Sequence, residues 1–156
     1  MPLDWKGAAF AGVVAGSVLT VLYGFLFGFI GYGQFGGPGI LLGYGQSQKL
    51  IDVFTTTQPL PLEMSSLFAL LLGNIILGIL FTAAYSWAMK ELPGDSFGKG
   101  INFGIVLWVF AGLWSALYTN FSLLGEPVYL ILVELIFWLV LFLIEGIIIV
   151  RLYRAH

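Results

Sequence analysis

Four long apolar runs, separated by short polar stretches, organise this chain of 156 residues. They cover about residues 7–30, 65–89, 100–121 and 127–150. Each reaches the roughly 20 residues a helix needs to cross about 30 Å of hydrocarbon. No water reaches backbone groups in a bilayer, so runs of this kind must close their hydrogen bonds internally as helices. The period-two alternation of a membrane barrel is absent. The pattern therefore predicts an all-α polytopic membrane protein: a single domain over residues 1–156, with four transmembrane helices in an up-down bundle.

The basic residues set the expected orientation. Lys6, Lys90, Lys99, Arg151 and Arg154 fall on one side if the spans alternate, and only Lys49 falls on the other. The positive-inside rule then places both termini in the cytoplasm, with the prokaryotic inner membrane as the expected location. Trp5, Trp87 and Tyr153 are expected in the inner aromatic belt, and Tyr32, Tyr118 and Tyr129 in the outer one. The first span is too long for a signal-peptide core and lacks a basic leader and cleavage site, so it reads as a retained helix.

The connections differ in kind. Glu91-Leu92-Pro93-Gly94-Asp95 is a tight turn, and Ser122 to Glu126 is another, with Pro127 suited to opening the last helix. The segment from Gly31 to Met64 is too long for a mere connector. Seven of the fifteen residues from Gly31 to Gly45 are glycine. Gly31-Tyr32-Gly33-Gln34 recurs as Gly43-Tyr44-Gly45-Gln46, and these glycines and tyrosines are candidate loop or interface residues. A short helix is expected over Gln46 to Phe54, then extended chain from Thr55 to Pro61. Neither Gly-Tyr-Gly copy has the Thr-Val lead-in of a potassium filter.

Composition narrows the chemistry. Apolar residues make up 60% of the chain and charged residues 9%, against about 25% charged in a soluble domain. A net charge of −2 offers no clustered basic surface for nucleic acid. Cysteine is absent and the one histidine, His156, ends the chain, so no metal site is expected. No catalytic triad or nucleotide fingerprint occurs, and the protein is not expected to be an enzyme. No intrinsic cofactor is expected; lipid is the bound molecule the composition invites.

Three polar residues stand out inside the spans. Glu134 and Glu145 lie eleven residues apart, about 20° off three full helical turns, so both occupy one face. Isolated ionised carboxylates there would be costly. They read either as an ion or proton path, or as groups satisfied locally, with Glu145 reaching towards Arg151 and Glu134 bonded to a neighbouring helix. Asn74, near the middle of span two, reads as glue between helices or as a ligand contact. Ala8, Gly12, Gly16, Gly24 and Gly28 form a small-residue ridge along span one that invites close helix approach.

A faint repeat links residues 1–95 to 96–156. Lys6-Gly7 with Phe10 matches Lys99-Gly100 with Phe103, Leu22-Tyr23 echoes Leu117-Tyr118, and Gly78 with Tyr85 matches Gly146 with Tyr153. Two hairpins in the same orientation would follow. Together Ala11-Gly12-Val13-Val14-Ala15-Gly16, Leu77-Gly78 with Tyr85, and Gly100 with Phe103-Gly104 resemble uncharacterised small four-span integral membrane proteins of bacteria and archaea. The resemblance implies the four-span fold and carries no activity. Those proteins often place His one turn before the span-two glycine, where this chain has Asn74.

The leading functional expectation is a small accessory or structural subunit of a larger membrane complex, with other membrane subunits, a second copy and membrane lipids as partners, and no nucleic acid. The first alternative is an oligomeric transporter or channel using Glu134 and Glu145. The second is a protein that binds lipid or another hydrophobic ligand.

Overall fold

The computed structural model describes residues 3–43, 45–56 and 66–153. Tyr44 lies outside the described residues, as does the expected extended stretch beyond Thr56. The described residues are helical apart from turns and loops. Four helices are long and apolar enough to cross a membrane: α1 (Trp5–Gly31), α3 (Leu67–Trp87), α4 (Ser96–Leu123) and α5 (Val128–Leu152). A short amphipathic helix, α2 (Gln48–Thr55), lies in the first loop, close to the expected position.

The helix starts follow local chemistry. Asp4, Ser66 and Asp95 cap α1, α3 and α4, each side chain accepting an otherwise orphaned backbone N–H. The turn between α3 and α4 is tied down twice: Lys99 Nζ donates to the Lys90 carbonyl at 2.9 Å and Asn102 Nδ2 to that of Pro93 at 3.1 Å.

The packing is two antiparallel hairpins joined through α1 and α5. In the first, a side chain at Gly12 would collide with the backbone at Gly78 and Ile79, and one at Gly16 with the backbone at Asn74 and Ile75. In the second, Gly100 faces Ile147 while Gly104 faces Phe142 and Leu143. Gly78 lies on Gly12 and Gly16, and Gly146 lies on Gly100 and Gly104. Without an apolar driving force between helices in lipid, such backbone-to-backbone approach is what holds them.

The sequence match between spans two and four keeps its register at these crossings, but that between spans one and three does not. Gly7 lies against Asp4 and Tyr153, so Gly12 rather than Gly7 does at the first crossing what Gly100 does at the second. The ridge on α1 also ends early. A side chain at Gly24 would meet open space, and Gly28 faces the Gln34 side chain, not a helix. From Gly24 to Gly31 the helix widens into π-helical turns. Their i→i+5 bonds break the four-residue spacing and rotate the ridge off the seam.

Outward faces are apolar: Leu72, Ile76 and Leu80 on α3 and Leu132, Ile136 and Val140 on α5 are exposed at helical spacing, as lipid contact requires. Trp5, Trp87, Tyr118 and Tyr129 are exposed near the helix ends. Two expected belt residues are instead interior. Tyr153 is buried with its ring 6.4 Å from that of Tyr85, and Tyr32 is buried at the opposite end.

Candidate functional site

Both hairpins touch along α1 and α5, while α3 and α4 diverge. The gap between them is a cavity of about 480 Å³. Leu70, Asn74, Leu77 and Phe81 of α3 form one wall, and Ala111, Ser115, Thr119 and Asn120 of α4 the other. The floor is aromatic. Tyr23 and Phe27 stack at 4.8 Å, Phe27 meets Trp138 at 4.9 Å, and Trp138 stacks on Phe142 at 5.4 Å. Val53 of α2 reaches the same space. Two of the helices that border this cavity, α1 and α4, run as π-helix over Gly24–Gly31, Trp108–Leu113 and Ser115–Leu123. Such departures from regular α-helix concentrate at functional sites.

At one end of the cavity stands Glu134, fully buried. Asn120 Nδ2 donates a short hydrogen bond to its Oε2, and the Tyr32 hydroxyl also donates to this carboxylate. The carboxyl of Glu126 faces it within hydrogen-bonding reach. Glu126 is itself buried, and Gln46 Nε2 donates to its Oε1 at 2.7 Å and to the Leu41 carbonyl at 2.7 Å. Gln46 Oε1 accepts from the backbone N–H of Ser47 at 2.6 Å, and the Ser47 hydroxyl donates to the Leu124 carbonyl. Glu126 Oε2 and Glu134 Oε1 have no donor among the described residues. A single proton shared between the two carboxyls would satisfy both oxygens. Burial raises the Glu126 carboxyl above the usual carboxylate range, and the hydrogen bonds from Gln46 and with Glu134 oppose this.

The first loop is thereby latched onto the bundle. Its backbone folds back on the end of α1 through Ile40 N–H to Ile30 (3.1 Å) and Leu41 N–H to Gly31 (2.8 Å). Leu41 and Leu50 are fully buried. Gly31 abuts Leu41, and Gly33 and Gly45 adopt the left-handed backbone their turns require (φ 69° and 88°). Gly43 is exposed.

Asn74 links two helices. Its Nδ2 donates to Thr20 Oγ1 at 3.0 Å, tying α3 to α1, while Thr20 donates to the Gly16 carbonyl at 2.8 Å. It also borders the cavity. Glu145 does not join Glu134. It is buried and off the cavity wall, and neither of its oxygens has a hydrogen-bond partner among the described residues. Arg151 does not reach back to it; its guanidinium lies over the Phe97 ring at 5.6 Å.

No family model, curated protein or solved structure matches this chain. Sequence reasoning picked out Glu134, Asn74 and Tyr32, but passed over Glu126, Gln46, Asn120 as the partner of Glu134, and the ring cluster. Glu126 carried one usable signal, an acid followed by proline at the head of a span. Gln46 carried none, because it meets Glu126 across 80 residues of chain.

Proposed function

We propose that this protein binds an amphipathic or hydrophobic ligand within the membrane, in the cavity between α3 and α4. The observation that carries this reading is the combination of a ring-walled space of about 480 Å³ with a buried carboxyl at one end. Ligand sites are concave, mostly apolar and furnished with few polar groups, and volumes of about 300–1,000 Å³ are typical. The opening between two helices suits entry from the lipid phase. Basic residues cluster at the end holding both termini, which supports a cytoplasmic placement of that end.

Native mass spectrometry of the full chain in mild detergent tests the reading. A retained lipid-sized molecule is expected, with its loss in Ser115→Phe, which fills the cavity. Wild-type protein carrying nothing, or equal retention in the filled variant, contradicts it.

One observation favours a second role alongside the first. Only 11% of the apolar window of α3 is buried, against 33% to 39% for the other three long helices. α3 is thus the face most available to a further membrane subunit or a second copy, as an accessory subunit would need. A native gel of the mildly solubilised protein showing only the isolated chain would remove this role and leave the ligand site standing.

A further inference from the structure

Resting on that ligand-binding reading, we infer that the cavity selects lipophilic cations: an organic ammonium or phosphonium whose positive charge sits between Glu134 and the aromatic floor. Three observations converge on the class.

First, the donors around Glu134 are already committed. Asn120 Nδ2 and the Tyr32 hydroxyl both give to Glu134, and Gln46 Nε2 gives to Glu126 and Leu41. Glu134 borders the cavity as an acceptor, its Oε1 buried with no donor among the described residues, and Asn74, whose Nδ2 is used on Thr20, borders it as well. Beyond these committed groups the donors on the wall include the neutral hydroxyls of Ser115 and Thr119, with no charged donor for an anionic head.

Second, no Lys, Arg or His borders the cavity among the described residues. Glu134 therefore faces this space without a resident counter-ion, and a ligand's positive charge can fill that place. A buried carboxylate is worth most to a cation where water is excluded.

Third, Tyr23, Phe27, Trp138 and Phe142 gather beside it as a cluster of ring faces. Aromatic faces attract cations, Trp most strongly, and the attraction grows when the cation is desolvated. Trp138 lies one helical turn from Glu134 on α5, so the carboxylate and the best ring border the same volume. A lipophilic cation uses both, with its apolar groups against Leu70, Leu77 and Phe81.

A proton shared between Glu126 and Glu134 would compete with such a ligand, and the polar groups that face the pair are Tyr32 just past the end of α1, Gln46 from the loop and Asn120 from α4. Cation binding is expected to tighten as pH rises and that proton leaves.

The test is saturable binding of tritiated tetraphenylphosphonium to the full chain in mild detergent, with tetraphenylborate, an anion of matching shape, as competitor. Phosphonium is expected to bind, to be displaced by dodecyltrimethylammonium and not by tetraphenylborate, and to weaken at least tenfold in Glu134→Gln. The same variant should still retain a neutral lipid in native mass spectrometry. Equal affinity for the cation and the borate in wild-type protein overturns the inference without any variant. So does unchanged phosphonium binding in a Glu134→Gln protein that elutes as a single species. If lipid is retained while phosphonium fails to bind, the charge assignment falls and the ligand site stands. If neither binds, both fall.

Discussion

The two hairpins are built on the same seam and used differently. In α1–α3 and in α4–α5 a pair of glycines four residues apart on one helix receives a single glycine from the other. At the position where Asn74 meets Gly16, the second hairpin puts Phe142 against Gly104. Where Leu77 precedes Gly78, Glu145 precedes Gly146. The loops differ most: a long latched segment follows α1, and a tight turn follows α4. Glycine contacts between backbones fix how two helices cross, and they leave every other face free to vary. The polar groups and rings of the candidate site occupy that free surface, at the end where the hairpins diverge.

The largest effect should come from breaking the seam itself. Gly16→Leu and Gly104→Leu each force backbones apart and should cost more than about 3 kcal/mol, at the upper end of overpacking. The check is loss of a single species on size exclusion and a collapse of thermal stability. Gly24→Ala, further along the same helix, should change stability by about 1 kcal/mol or less, since its added carbon meets open space. Equal damage from Gly16→Leu and Gly24→Ala would refute the seam as drawn.

A smaller effect belongs to the loop latch, which the second hairpin lacks. Gln46→Leu leaves Glu126 Oε1 buried without its donor and should cost about 1–3 kcal/mol, read as faster proteolysis of the first loop. The latch should also respond to pH. Burial raises the Glu126 carboxyl, so its contribution is complete below the ordinary carboxylate range and is lost as pH rises through the raised value. Proteolysis of the loop should quicken with rising pH in wild type, and that dependence should flatten in Glu126→Gln. The smallest effect is expected from Asn74→Leu, which removes one interhelical hydrogen bond worth about 0.6–2 kcal/mol and makes α3 more like its partner in the second hairpin. Thermal unfolding in detergent reads the difference.

Much of this architecture was legible in the chain. Apolar runs located the four long helices because nothing but a helix satisfies such a run in lipid. The approach of Gly12 and Gly16 followed from their spacing. Gly24 misled, because no helix lies against it: an added carbon there meets open space. The cavity was not legible, since it arises from two helices failing to meet, and that depends on the angle set by all three contacts among the others. Glu134 was visible as an acid within an apolar run. Its surroundings were not, because Gln46, Asn120 and Tyr32 come from three other segments of chain.

The central claim is that a ligand chamber lies between α3 and α4, floored by Trp138. Two single-tryptophan proteins test it most directly, one keeping Trp138, which borders the cavity, and one keeping Trp108, whose Nε1 donates to the Leu135 carbonyl at 2.9 Å, away from the cavity wall. Titration with a brominated long-chain alcohol should quench Trp138 along a saturating curve and leave Trp108 nearly unchanged. Quenching of both to the same extent, rising linearly without saturation, would mean that no chamber is there.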